Sequence, residues 1–286
     1  AGGRAVKRPR HLGLSRGLYG AIVFLLLLFG AAAVSPARAE EPPPYLAFPA
    51  LGRIDLDEGT LECWMQFAFE PLAPHEGFRG RGPLFLVGFA DPAFPRDGLD
   101  ASLGTKAVGS RTPTGMQCVL RLGITIDGRE LKHTMLNGLG QELQARTWMH
   151  FALTWEDGHR VRLYVNGQEQ GGRDFFGRFD RPLGSRSVLY LGRSPARNRA
   201  SPIAVDEFRI SAIARDPETL GRKRPGVDPY TLFLLTFDRS DPDTRRLAPR
   251  FSVLREDIAV KELPPGTALV PGRFGRGLAF SAQDFE

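Results

Sequence analysis

Apolar and polar positions alternate with period two through most of the chain. Met149, Phe151, Leu153 and Trp155 interleave with His150, Ala152 and Thr154, which predicts a strand with one face more apolar than the other. Glu156-Asp157-Gly158 is turn chemistry. Val161, Leu163 and Val165 alternate with Arg162 and Tyr164 as a second strand, closed by Asn166-Gly167, the strongest short hairpin signal. Further strands are expected at 59–67, 83–89, 116–124, 187–192 and 203–210, separated by Gly, Pro, Asn, Asp and Ser. One short helical turn is expected at 216–220, with Asp216 as cap and Pro217 in the first helical position. Segments 90–114 and 193–202 read as long loops, and 222–228, with Arg222-Lys223-Arg224, as an interdomain linker. Many short strands and almost no helical periodicity predict an all-β sandwich or barrel.

Charge changes this picture at one end only. The formal charge of +6 comes from residues 1–39, which hold six of the 38 basic residues and no acid; the remainder balances at 32 against 32. A neutral body lacks the electrostatic footprint of nucleic-acid binding. The same 39 residues carry Lys7-Arg8-Pro9-Arg10, an apolar run of 17 residues from Leu18 to Val34, and Ala37-Arg38-Ala39. This is the n-region, h-region and A-x-A site of a cleaved signal peptide, expected as an N-terminal signal helix. The alternative is an uncleaved anchor, at the short edge for spanning ~30 Å of hydrocarbon; the membrane would then be met only through this segment. Either way the protein is expected to be secreted, periplasmic or at the cell surface. Export permits a disulfide between the two cysteines, Cys63 and Cys118; two separate buried thiols are the other reading.

In order, "GTLECWMQF", "WMHFALTWEDGHRVRLYVNGQEQ", "VLYLGRS" and "IAVDEFRISAIARDPETL" resemble the laminin-G-like, concanavalin A-like jelly-roll family over residues ~45–221. Trp64, Trp148, Thr154, Trp155, Gly158, Leu163, Tyr164, Val165, Asn166, Gly167, Asp206, Glu207, Arg209 and Ile210 stand in its motif positions, with His150 fitting a W-x-H variant. The resemblance implies a two-sheet antiparallel jelly-roll sandwich at 40–221. Residues 231–238 and 274–280 look like the "L-L-x-F-D … F-G-x-A-L-x-F" opening of another such domain. Residues 229–286 are therefore expected to begin a second, truncated domain, whose edge strands pair with the first or are poorly ordered.

The implied function is a non-catalytic module for glycan or protein ligands. A structural or adhesive spacer and a polysaccharide hydrolase are the alternatives. The hydrolase device of the family, E-x-D-x-x-E, is approached only by Asp55-Leu56-Asp57-Glu58, which reads better as an acidic loop. Trp155, Tyr164, Phe175 and Phe176 are the candidate sugar-stacking aromatics. Asp206 corresponds to a position that in relatives helps hold a structural Ca²⁺; hard oxygen ligands suit that ion. The competing expectation is that Asp206 and Glu207 bond backbone amides or pair with an arginine.

Overall fold

The computed structural model describes residues 44–69, 85–88, 98–107, 116–126, 129–139, 144–156, 160–174, 183–192, 202–239, 246–247, 250–253 and 261–285. Residues 1–39, expected as a signal peptide, and Phe175 and Phe176 lie outside them. Pro42–Glu286 forms one compact unit.

Two antiparallel sheets carry the fold. The six-stranded sheet runs β1 (Leu46–Pro49), β10 (Val188–Leu191), β3 (Phe85–Gly88), β4 (Gly98–Ala107), β5 (Met116–Ile126) and β6 (Arg129–Leu139). The main path of the nine-stranded sheet runs β14 (Phe251–Ser252), β12 (Thr231–Leu235), β11 (Ile203–Ser211), β2 (Gly59–Phe67), β7 (Met149–Glu156), β8 (Arg160–Val165) and β9 (Gln168–Asp174). The hairpin of β16 (Ala268–Pro271) and β17 (Arg276–Ala279) joins this sheet through β11. A separate pair, β13 (Arg246–Leu247) with β15 (Lys261–Glu262), and a final helical turn, α1 (Ala282–Phe285), complete the elements.

Alternation decides what goes inside. Leu61, Cys63, Met65 and Phe67 of β2 and Phe151, Leu153 and Trp155 of β7 enter one core cluster with Leu46 and Phe48 of β1 and Leu189 and Leu191 of β10. The Phe48 and Phe233 rings, one from each sheet, meet at 5.0 Å. Each fully buried side chain of this size contributes about 2–3 kcal/mol. The hairpin β8–β9 turns on Asn166 and Gly167, both at positive φ (51° and 79°), as a two-residue primed turn requires. The short helical turn falls at Pro217–Thr219, with Asp216 accepting from the Glu218 amide.

One expectation changes, and two open readings are narrowed. The polar segment 90–114 contains β4, paired along its whole length with β5; its Gly, Asp and Lys content hides a strand that register stabilises. The edge strands of 229–286 pair with the first domain's sheet: β12 pairs with β11 at 208–211 and β17 pairs with it at 204–205, end to end along one edge. Segment 222–228 is thus a strap within one unit. Cys63 is a free, buried thiol, raised far above the usual thiol range chiefly by burial. The bridge to Cys118 is not formed; Cys118 lies on β5, in the other sheet.

Candidate functional site: the roofed face of the large sheet

The face of the nine-stranded sheet turned away from the core carries most of its polar chemistry. Period two on β2 places Thr60, Glu62 and Trp64 there, opposite the core residues Leu61, Cys63 and Met65. His150 faces Trp64 across β7, and Arg209 faces Glu62 across β11. Glu62 is 2% exposed and His150 fully buried. Glu62 Oε2 lies 2.9 Å from His150 Nε2, and Arg209 Nε donates to Oε1 at 2.7 Å, joined by Arg209 Nη2. Burial pushes the Glu62 carboxyl up, but His150 and Arg209 outweigh it and hold the group below the usual carboxylate range. Arg209 Nη1 donates to the Gly226 carbonyl at 3.0 Å, which ties the network to the strap. Arg215 extends it, with Nη1 and Nη2 at 2.7 and 2.8 Å from the two Asp228 oxygens.

A second cluster forms where β11 bulges. Between Trp64↔Asp206 and Glu62↔Arg209 the partner strand advances two residues and β11 three, so one extra residue is accommodated. Glu207 takes φ 51° there, a conformation that a non-glycine residue rarely adopts. The bulge keeps Phe208 and Ile210 in the core and sends Asp206 and Glu207 away from it. Asp206 Oδ2 accepts the Phe274 amide at 2.9 Å. Glu207 pairs with Arg224 Nη2 at 2.6 Å, and the same guanidinium meets Asp238. Asp238 Oδ1 accepts the Arg276 amide at 2.9 Å. Burial raises Asp206 to about 6, against the Phe274 amide, and raises Glu207 to about 7, against Arg224.

The aromatic candidates are not displayed. Trp155 is 3% exposed in the core, its Nε1 donating to the Asp55 carbonyl at 2.8 Å. Tyr164, 5% exposed, packs with Ala152 beneath Leu220. Neither offers a ring face to a sugar, because the inner layer buries the first and the strap roofs the second. Gly221 (φ 71°) continues that roof; a Cβ there would come within 3.0 Å of His150 Nδ1.

Among the described residues no three His, Cys, Asp or Glu side chains converge on a metal position. Asp206 bonds the Phe274 amide and Glu207 pairs with Arg224, the contacts that the competing expectation names. Asp55 to Glu58 form the expected acidic loop: Asp57 N donates to Asp55 Oδ1 at 2.9 Å, and Glu58 accepts the Ala214 amide. Glu62, Arg215 and Asp238 escaped the sequence reading, although alternation along "T-x-E-x-W" already puts Glu62 beside Trp64.

Residues 121–221 match the concanavalin A-like lectin/glucanases superfamily. No curated protein matches the chain by sequence. Among solved structures, a heptameric SAP-like pentraxin from Limulus polyphemus is similar at 14% identity and TM-score 0.45, over 67% of this chain and 81% of that one. Domain 4 of an extracellular arabinanase from Geobacillus stearothermophilus, solved with arabinotriose, is similar at 17% identity and TM-score 0.39, over 61% and 69%. Mouse laminin alpha1 domains LG4-5 are similar at 12% identity and TM-score 0.39; 67% of this chain is covered and 44% of that one. The two antiparallel sheets that contain the matched residues 121–221 form a jelly-roll sandwich of the concanavalin A-like, laminin-G-like kind.

Proposed function

We propose that this chain is a non-catalytic binding module acting outside the cytoplasm, which takes a glycan or protein ligand on its rim and loops. The observation that carries this reading is the sealing of the outer sheet face. A glycosidase needs two carboxyl groups open to the scissile bond, about 5–5.5 Å apart in a retaining enzyme. Raised carboxyl groups in a cleft would nominate such a pair, and Asp206 and Glu207 are raised. Both are fully buried, however, under Phe274 and Arg224, and Glu62 is held on both oxygens by His150 and Arg209. No sugar reaches any of the three without unroofing the sheet. The location outside the cytoplasm rests on residues 1–39, with their basic start, apolar run and Ala37-Arg38-Ala39.

The test is a glycan array probed with the full chain, with and without a chelator, alongside a reducing-end assay on the polysaccharides that bind. The expected result is binding to one glycan class, unchanged by the chelator, with no reducing ends released. Release of reducing ends would establish the hydrolase instead. Silence on every glycan by a folded chain leaves protein ligands, and silence in a protein-capture screen as well would return the chain to a spacer role.

A further inference from the structure

Basic residues gather at one rim of the molecule, outside the matched segment 121–221. The β16–β17 turn closes through Gly272 N to the Gly275 carbonyl at 2.8 Å and presents Arg273, Phe274 and Arg276. Arg273 is exposed, and its guanidinium lies over two rings, 4.9 Å from the centroid of Trp64 and 5.7 Å from that of Phe274. Arg224, on the strap, approaches the same Phe274 ring at 5.9 Å. The two residues before it, Arg222 and Lys223, are exposed, as are Arg250 and Arg276. Arg250 is close enough to help hold Asp238 below the usual carboxylate range; burial opposes this, and Arg224 is the stronger lowering partner.

Among the described residues, the acids beside Arg224 and Arg276 are already engaged. Arg224 takes Glu207 and one oxygen of Asp238, and the Arg276 amide takes the other. Arg224 is thereby matched, while Arg273, Arg250, Arg222 and Lys223 add positive charge that these carboxylates do not cancel. Against a body of zero formal charge, this is a local excess. Its make-up is specific: arginine forks bind carboxylate or sulfate with two parallel hydrogen bonds. A guanidinium parked on aromatic rings is also pre-oriented, so less side-chain freedom is lost on binding. The half-buried Phe274 supplies an apolar surface beside the charges, which a pyranose ring can meet while its acidic group faces Arg273.

We propose that the turn 272–276, the strap residues 222–224 and Arg250 form a docking surface for an acidic polysaccharide, one bearing uronate or sulfate groups. This deepens the glycan-binding reading and rests on it. The test is affinity electrophoresis of the full chain through polygalacturonate, dextran sulfate and neutral dextran, with polyglutamate and anionic phospholipid vesicles as further probes. The expected result is retardation by polygalacturonate or dextran sulfate, weakening with salt, and none by neutral dextran. The double variant Arg273→Ala/Arg250→Ala should lose about tenfold in affinity, the scale of charge-assisted contacts, with an unchanged melting curve. Arg273→Lys, which keeps the charge without the fork, should fall between.

Full binding by the double variant overturns the proposal. So does equal retardation by polyglutamate, which would mean unselective attraction of polyanions, or capture by vesicles without capture by either acidic polysaccharide. Binding to neutral dextran through other residues would sink this surface and leave the glycan-binding reading intact. A chain that binds no polysaccharide in the array loses both.

Discussion

Two acid clusters sit on the same face of the same sheet and behave oppositely. Around Glu62 the strands are regular. Each partner arrives at strand spacing, His150 from β7 and Arg209 from β11, and the carboxyl is held low despite burial. Around Glu207 the strand is bulged. Its partner arrives from a connection, on the partly exposed strap residue Arg224, and burial wins, leaving Glu207 near 7 and Asp206 near 6. Buried acids on a regular ladder can be fully matched by neighbours that the register fixes. Acids at an irregularity depend on loops for their counter-charge, and the match is incomplete. The backbone amides of Phe274 and Glu207 only partly offset the burial of Asp206, and the bulge holds Glu207 at a positive φ.

The most severe way to break the comparison is to remove what roofs both clusters. A chain ending at residue 225 loses β12 and β17, the strands that cover the outer edge of β11. It also loses Gly226, Asp228 and Phe274, which bond Arg209, Arg215 and Asp206. We expect no cooperative thermal transition from this fragment and aggregation through the opened strand edge. A fragment that melts cooperatively near the temperature of the full chain would show that 226–286 is dispensable. Glu62→Ala comes next. It strands Arg209 and His150 in the interior, which typically costs about 3–5 kcal/mol, read as a shift in the urea midpoint. A loss under about 1 kcal/mol would mean that the pair merely offsets its own desolvation.

The bulged cluster should respond less, and with a pH signature. Arg224 is 37% exposed, so Arg224→Ala should cost about 2 kcal/mol near pH 8, below the usual figure for a fully buried pair. The cost should shrink near pH 5. Glu207 is raised in the folded state, so folding favours proton uptake between its ordinary range and about 7. This group's contribution therefore becomes more favourable as pH falls through that window. Once protonated, Glu207 no longer needs Arg224. Glu62 runs the other way. Its depressed value gives stability that is present above the ordinary carboxylate range and lost as pH falls through the folded value. Urea midpoints of wild type and Arg224→Ala across pH 5–8 check this; a cost independent of pH would assign Arg224 a packing role only.

How much of this was legible follows the same division. The meander 149–165, the Asn166-Gly167 turn and the Asp216 cap were readable because each is a local pattern with a local cause. The bulge had a signature too: in "IAVDEFRI" the apolar phase slips from Ile203 and Val205 to Phe208 and Ile210, and one extra residue restores it. Simple alternation misses this, and it would send Glu207 and Arg209 inward. The β4 strand, built from Gly, Asp, Ser and Lys, has no alternation strong enough to announce it; its pairing with β5 is a long-range fact. The burial of Tyr164 depended on Leu220, 56 positions away, and the counter-ions Arg224 and Asp238 arrived from segments that local composition marks as linker and turn.

The smallest predicted effect tests whether burial, rather than proximity, separates such pairs. Glu156 and Arg160 are an ion pair at 3.3 Å, a few tenths of an ångström longer than the contacts of the two clusters, and their side chains are 47% and 44% exposed. Water already solvates both charges, so little is gained by bringing them together, and holding two long side chains in one geometry costs entropy. Glu156→Gln should shift stability by no more than about 0.5 kcal/mol, and salt should erase most of that shift. An effect as large as that of Arg224→Ala would mean that distance alone governs these pairs. The contrast between the laddered and bulged clusters would then need a cause other than how completely each acid is withdrawn from water.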